Sequence, residues 1–271
     1  MPELPEVQAV VDYIKDDLIN EELIDVNPIW PKVLDNFTPK DIFKNRDLTI
    51  KDVSRRAKFI IIHFKDQIIA IHLRMTGKLY FMNESSIPKH TSALFQMKSG
   101  KILIFNDVRK FGRLYLYDNF DNINSRHGPE PLDSSFTSRE LINILNSKKR
   151  NIKALLLDQS ILSGLGNIYV DESLWASGIH PNSISNAIPD AKVDILHNSI
   201  QTILAKAISS KGTTIINFSV NGESGKYSEK LKVFGKDGKR CPKCNGEILK
   251  VRVTGRGTHI CNKCQRKYIK P

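Results

Sequence analysis

The stretch Phe59-Ile-Ile-Ile-His-Phe64, Lys65-Asp66, then Ile68-Ile-Ala-Ile-His-Leu73 decides the reading of the first half of the chain. Two short apolar runs flank a polar pair, the signature of adjacent strands joined by a turn. Similar runs recur on either side: Leu79–Met82, Ala93–Met97, Ile102–Phe105 and Leu114–Tyr117, with Ser99-Gly100 as another turn. Their spacing over residues 48–117 predicts an antiparallel sandwich or barrel.

Upstream, Leu4, Val7, Val11, Ile14 and Leu18 recur every three or four residues, which predicts an amphipathic helix over residues 4–18. Pro5 suits its first turn, and Glu3 and Glu6 suit the positive end of its dipole. Downstream, residues 118–136 are rich in Asn, Asp, Ser, Gly and Pro and read as a linker. Thr137 and Glu140 have capping-box spacing ahead of Leu141–Leu145. Further helices are predicted near 151–158, 168–177 and 190–209, so the second half is helical until a cysteine-bearing module of the last thirty or so residues. The resulting organisation is α+β and multidomain: residues 2–120 with the leading helix, a linker over 121–136, a helical domain over 137–230 and a small metal-binding module over 231–271.

The chain has 271 residues, with 41 Lys and Arg against 29 Asp and Glu, a net charge of +12. That balance favours a polyanionic partner, nucleic acid before an anionic membrane surface. No apolar run approaches the roughly 20 residues a membrane helix needs. The acidic start carries no signal-peptide pattern, so a cytoplasmic location is expected.

In such a compartment cysteines bind metal more readily than they form disulfides. Cys241-Pro-Lys-Cys244 and Cys261-Asn-Lys-Cys264 lie sixteen residues apart. Two such knuckles can set four thiolates around one zinc ion. All four positions are then filled by protein, so the metal is structural. Lysines and arginines crowd the module, which suits a clamp on backbone phosphate.

Three weaker signals accompany this one. Gly164-Leu-Gly166-Asn167 joins two helices, and such a turn opens backbone N–H groups to a phosphate. By itself it reads as an ordinary turn, but Lys148, Lys149, Arg150 and Lys153 lie just upstream. Asp107-Val-Arg109-Lys110-Phe111-Gly112-Arg113 sets cations around an aromatic ring. Phe111 is either a wedge for a base stack or a core residue beside a solvated charge run. Met75 is either a second wedge or a gap-filler in the core. The chain start is the last signal. Removal of Met1 before the small Pro2 exposes a secondary amine. An α-amine titrates at about 7.7–8.0, far below a lysine, and in its neutral form is a nucleophile able to form a Schiff base. Glu3 beside it can move protons.

Together these pieces resemble the formamidopyrimidine-DNA glycosylase family. The matching segments are Pro2-Glu-Leu-Pro-Glu-Val7, Lys58 within Arg56-Ala-Lys58-Phe59, Arg74-Met75-Thr-Gly77, Asp107-Val-Arg-Lys-Phe-Gly112, Leu156-Leu-Asp158-Gln159, Gly164-Leu-Gly-Asn-Ile-Tyr169, Gly178-Ile-His-Pro181, Gly255-Arg-Gly-Thr258 and the four cysteines. They span the chain in the family's order.

The resemblance implies an N-terminal β-sandwich, a helix–two-turn–helix domain and a C-terminal zinc-ribbon-type finger. It also implies a monomer that holds damaged double-stranded DNA between two lobes. The implied reaction excises oxidised purines: Pro2 attacks the sugar C1′, and the Schiff base permits β- and then δ-elimination. Glu3 is the implied proton donor, Lys58 assists β-elimination, and Arg256 serves δ-elimination or holds phosphate. Asn167 grips phosphate beside the lesion. Met75, Arg109 and Phe111 fill the vacated stack, and His90, Lys148, Lys149 and Lys153 are implied backbone contacts. Residues 217–227, with Gly222 and Gly225, form the loop over the everted base. Phe234 departs from the Tyr of many relatives. Two alternatives stay open: an endonuclease VIII-like enzyme for oxidised pyrimidines, against which Leu4, Met75 and Phe111 argue, and a non-catalytic DNA-binding relative, against which Pro2, Glu3 and Lys58 argue.

Overall fold

The computed structural model of the chain describes residues 2–44, 47–82, 86–213, 219–220 and 223–269. These residues form two compact units, one of residues 1–125 with 210–228 and one of residues 126–209 with 229–271.

The first unit opens with helix α1 (Leu4–Leu18), which buries Leu4, Val7, Val11, Ile14 and Leu18 as the periodicity predicts. Strand β1 (Leu23–Asn27) and the short helix α2 (Pro39–Ile42) follow. Seven further strands are β2 (Asp52–Arg56), β3 (Phe59–His63), β4 (Ile68–His72), β5 (Gly77–Phe81), β6 (Thr91–Met97), β7 (Ile102–Asp107) and β8 (Arg113–Tyr117). They pair as two antiparallel four-stranded sheets, ordered β1-β6-β7-β5 and β2-β3-β4-β8. One core joins both sheets to α1: Val7, Val11, Ile14 and Leu18 pack with Val53, Ile60, Ile62, Ile69 and Ile71 of one sheet and Leu79, Phe95, Leu103 and Phe105 of the other. This is the expected sandwich.

Strand β3 explains why its sequence is an unbroken apolar run. Successive side chains point to opposite faces. Ile60 and Ile62 enter the main core, whereas Phe59 and Ile61 join a second layer with Ala57, Ile68, Ala70 and Ile123. A strand covered on both faces has no polar side to alternate with.

Ile123 belongs to a one-turn helix, α3 (Asp121–Asn124). The stretch read as a linker is therefore packed. Its first residues cover the sandwich, and Arg56 Nε donates to Asn124 Oδ1 at 2.8 Å. Its remainder belongs to the second unit, where Gly128 N donates to the carbonyl of Gln159 at 2.8 Å and Phe136 is buried. The boundary between units falls after Ser125, not over a sixteen-residue tether.

The second unit contains α4 (Ser138–Asn146), α5 (Ile152–Leu157), α6 (Asn167–Ser177) and α7 (Asp190–Ser209). Thr137 caps α4 as its spacing predicts, accepting from Glu140 N at 3.2 Å. Helix α6 buries nearly every residue after Asn167 and runs through the middle of this unit, as a helix without a polar face must. Gly178 ends it with φ +73, the left-handed conformation that suits glycine.

Two elements depart from the expected domain plan. Residues 210–228, read as part of the helical domain, belong to the first unit and include the two-residue strands β9 (Ser219–Val220) and β10 (Glu223–Ser224). The cysteine module, with its hairpin β11 (Leu249–Val253) and β12 (Arg256–Ile260), is continuous with the helices. Trp175 of α6 packs with Val233, Cys241, Ile248 and Cys261, so the module borrows its core from the helix.

Candidate active site and metal centre

Chain starts ordinarily fray; this one is built into the fold. Pro2 and Glu3 are buried, Glu3 to 2% exposure. Glu3 is the N-cap of α1, and its N–H donates to Glu6 Oε2 at 2.8 Å. The other oxygen of Glu6 accepts from Thr213 N at 2.7 Å. One buried carboxylate thus fastens both the chain start and the segment around Thr213. Gly212 takes φ +76, and a Cβ there would meet Glu6 Oε1 at 2.8 Å. Glycine is required there twice over. Tyr227 N donates to the carbonyl of Gly212 at 3.1 Å, and Lys226 N to that of Ser210 at 3.0 Å. The two ends of the segment expected to cover a base are therefore drawn together beside Glu6. Of the expected loop, Gly225 is described, while Gly222 and residues 217–218 and 221 lie outside the described residues, as does Met1.

Lys58 sits in the two-residue turn between β2 and β3, where Arg56 pairs with Phe59. Ala57 adopts φ +52, so a small residue before Lys58 suits the turn. Arg55 Nη1 donates to the Ala57 carbonyl at 2.8 Å, and Arg55 Nε to Gln8 Oε1 of α1 at 3.1 Å. The same side chain therefore grips the turn of Lys58 and helix α1, which starts two residues after Pro2. Lys58 is 5% exposed. Burying a lysine and an acid near a chain end is costly, and such costs collect at functional sites.

Exposure excludes the core reading of Met75 and Phe111. They are 43% and 46% exposed, too much for core residues. Arg109 lies between them: its Nη1 donates to Met75 Sδ at 3.0 Å, and its guanidinium stands 4.6 Å from the Phe111 ring centre. His90 is exposed on the neighbouring turn at φ +69, and its carbonyl accepts from Asp107 N at 3.0 Å.

In the second unit, Asn167 opens α6. Gln159 shapes the preceding glycine turn: its Oε1 accepts from Gly164 N at 3.0 Å, and its Nε2 donates to the Leu165 carbonyl at 2.9 Å. Asn167 Nδ2 donates to the Gly257 carbonyl at 2.9 Å, which brings the helix N-terminus beside the hairpin carrying Arg256. Arg256 follows a two-residue turn, Thr254-Gly255, with φ of +46 and +79. Its side chain is exposed. Lys149 is exposed and Lys148 half-buried on the segment after α4.

Lys153 requires a correction. It is wholly buried, so its ammonium is no surface contact for a phosphate. Nζ donates to Asp171 Oδ1 at 2.6 Å and to Thr258 Oγ1 at 2.7 Å. The second oxygen of Asp171 accepts from His259 N at 2.9 Å. Lys153 therefore ties α5 to α6 and to β12. Next to it, Glu172 accepts from the N–H groups of Lys232, Val233 and Phe234 at 2.8–3.1 Å. Burial pushes its pKa up, and those hydrogen bonds pull against the shift. Phe234 packs against the His259 ring at 4.8 Å. Glu6, Asp171 and Glu172 carry no site signal in the sequence, where Glu6 reads as a dipole partner and the other two as ordinary helix carboxylates; their burial reveals them.

The four cysteine sulfurs all lie within 4.8 Å of one another. Cys241 and Cys264 Sγ are 3.7 Å apart, and Cys244 and Cys261 Sγ 3.4 Å. A tetrahedron with Zn–S bonds of about 2.3 Å has edges of about 3.8 Å. The cluster therefore fits one structural zinc held by Cys241, Cys244, Cys261 and Cys264. Trp175 Nε1 donates to Cys241 Sγ at 3.4 Å, an outer hydrogen bond that orients this thiolate.

Residues 1–114 match the formamidopyrimidine-DNA glycosylase N-terminal domain, 127–219 the formamidopyrimidine-DNA glycosylase H2TH domain, and 238–266 a zinc finger found in FPG and IleRS. The chain belongs to the formamidopyrimidine-DNA glycosylase family. It is 42% identical over 277 residues to formamidopyrimidine-DNA glycosylase of Lactobacillus helveticus strain DPC 4571, covering 99% of this chain and all of the relative. The Protochlamydia amoebophila strain UWE25 glycosylase is 40% identical over 276 residues, covering 98% and 100%. Among solved structures, a Lactococcus lactis FPG mutant bound to DNA containing Fapy-dG matches with a TM-score of 0.90 at 35% identity. MutM bound to DNA containing carbocyclic 8-oxo-G matches at 0.89 and 34%. Each covers 98% of this chain and all of the other. The glycosylase N-terminal match contains Pro2, Glu3, Lys58, Met75, His90, Arg109 and Phe111, and the H2TH match contains Lys148, Lys149, Lys153 and Asn167.

Proposed function

We propose that this formamidopyrimidine-DNA glycosylase excises oxidised purines from duplex DNA and cuts the abasic strand with a nucleophile at its own chain start. Its relatives' structures hold DNA with Fapy-dG or carbocyclic 8-oxo-G. The observation that carries the reading is the burial of Pro2 and Glu3 in a fastened helix start. A secondary amine held there loses little freedom on reaching its target, which is how positioning lowers a barrier.

In this reading the damaged nucleotide leaves the duplex, which costs a few kcal/mol of pairing and stacking. The Pro2 nitrogen forms a bond to C1′ while the bond from C1′ to the base breaks, and the base takes the electron pair and a proton. Opening of the sugar leaves an iminium between Pro2 and C1′. That electron sink acidifies C2′, and loss of a C2′ proton expels the 3′ phosphate; a second elimination expels the 5′ phosphate. Glu3 supplies the first proton and Lys58 assists the C2′ proton transfer. Arg256 and Asn167 hold phosphate, with Arg256 also serving the second elimination. Met75, Arg109 and Phe111 occupy the emptied stack, with Arg109 facing the orphaned base. His90, Lys148 and Lys149 meet the backbone. The zinc module fixes the hairpin of Arg256.

Borohydride trapping with defined oligonucleotides tests this. An adduct with 8-oxoguanine opposite cytosine, mapped to Pro2 by mass spectrometry, is expected. Pro2→Gly should weaken trapping far more than DNA binding. Trapping with thymine glycol alone would favour an oxidised-pyrimidine enzyme, and a crosslink at any other residue would overturn the mechanism.

A further inference from the structure

One buried carboxylate organises the whole insertion surface. Asp107 ends β7 and is completely buried. Its Oδ1 accepts from the Thr76 hydroxyl and, at 3.2 Å, from Arg109 N. Its Oδ2 accepts from Phe111 N at 2.8 Å and Gly112 N at 2.7 Å. Thr76 Oγ1 also accepts from Arg109 N at 3.2 Å. A buried carboxylate is tolerated only when its lone pairs are met. Here the donors come from two loops, one carrying Met75 and the other carrying Arg109 and Phe111.

The carbonyl side of the second loop is fastened as well. Arg113 Nη1 donates to the carbonyls of Lys110 at 3.1 Å and Gly112 at 2.8 Å, and its guanidinium lies 5.0 Å from the Trp30 ring centre. Lys110 takes φ +58, and a Cβ at Gly112 would overlap the Phe105 ring at 2.3 Å. The loop is thus held through donors, acceptors and sterics together. What it presents is already assembled, with Arg109 between the Met75 sulfur and the Phe111 ring.

A wedge must enter a base stack that resists being opened. Ordering a loop during insertion adds a further entropic cost. We infer that Asp107 is the positioning residue that preforms this wedge, with Thr76 the link that sets Met75 against Arg109 and Phe111. The inference rests on the proposed role of those three side chains in the vacated stack.

Asp107→Asn keeps the shape but turns an amide N–H₂ toward N–H donors. Thr76→Val removes only the link between loops. Each is compared with wild type in the zinc-loaded full chain. Substrates are duplexes with 8-oxoguanine opposite cytosine or adenine, and a single-stranded abasic oligonucleotide, which has no stack to fill. Charge-assisted hydrogen bonds of this kind predict a fall in duplex kcat/KM of about tenfold or more for Asp107→Asn and about threefold for Thr76→Val. Discrimination between the two opposing bases should shrink in both variants, while borohydride trapping on the single strand stays within about twofold of wild type. Equal losses on duplex and single strand, or intact opposing-base discrimination in Thr76→Val, overturn the inference. Thr76→Val alone carries the test should Asp107→Asn not fold. A wild-type chain that traps on no DNA overturns the functional reading itself, an outcome separate from any difference between variants.

Discussion

Lys153 Nζ lies 2.6 Å from Asp171 Oδ1, with neither side chain exposed to water. Removing one member of a buried ion pair strands the other charge, which typically costs about 3–5 kcal/mol. Lys153→Met should therefore lower the denaturation midpoint steeply. Asp171 also holds His259 N, so the hairpin bearing Arg256 should loosen with it. Urea titration of the variant measures the first effect. A variant of unchanged stability whose DNA affinity falls, with a salt slope shallower by about one, would return Lys153 to the phosphate contacts.

Glu6 joins two segments that sequence places about two hundred residues apart, accepting from Glu3 N and Thr213 N. Glu6→Gln keeps one acceptor oxygen but points N–H₂ at the other donor. A buried donor left unmet costs about 1–3 kcal/mol, spent here at the chain start and at the base of the covering loop. Trapping by Pro2 should fall about tenfold or more, with duplex affinity nearly unchanged, since no phosphate contact is touched. Gel-shift and trapping assays on one preparation separate the two quantities. Parallel losses in both would show that Glu6 serves the fold rather than the nucleophile.

Zinc should report on itself through Trp175, whose Nε1 reaches Cys241 Sγ and whose ring carries Lys243 Nζ at 4.3 Å. Metal ligation supplies much of the folding energy of small modules. In a Trp30→Phe background, a strong chelator should shift Trp175 emission to the red as the module opens. Cys244→Ser should show the red-shifted spectrum from the outset and bind duplex DNA weakly. Full duplex affinity in a chain shown to lack zinc would remove the module from the binding surface.

The elements legible in the sequence are those whose signal is local. Helix α1 announces itself through Leu4, Val7, Val11, Ile14 and Leu18, and the metal centre through two paired cysteine spacings. Strand β3 is legible as a strand, but the packing of Phe120 and Ile123 over its second face is what explains why it is apolar on both faces. What stayed hidden depends on partners far along the chain. Lys153 follows Lys148, Lys149 and Arg150, so composition paints it as surface; Asp171 and Thr258, which bury it, lie 18 and 105 residues away. Residues 210–228 look like a continuation of the helical domain until Glu6 claims Thr213. Asp107 stood inside a recognised motif, yet its role appears only when its oxygens are seen to face Thr76, Phe111 and Gly112.

His63 gives the fold a pH dependence whose sign is set by burial. Its Nε2 pairs with Ser54 Oγ at 2.7 Å across the β2–β3 ladder. Burial pushes its pKa below the ordinary value; Asp52 opposes the shift and Lys15 adds to it. The folded chain therefore releases this proton more readily than the unfolded chain, whose histidine titrates at about 6.5. The stabilisation is complete above that pH, declines as pH falls through it, and levels off below the depressed folded value. His180 shifts in the same direction through burial and Lys267, so a single profile of the wild type would mix the two. Subtraction isolates His63. The stability difference between wild type and His63→Gln, from urea midpoints, should change as pH drops below about 6.5, with wild type losing ground to the variant. A difference that is constant with pH, or that grows in favour of wild type in acid, would mean that the folded chain holds the His63 proton at least as tightly as the unfolded one.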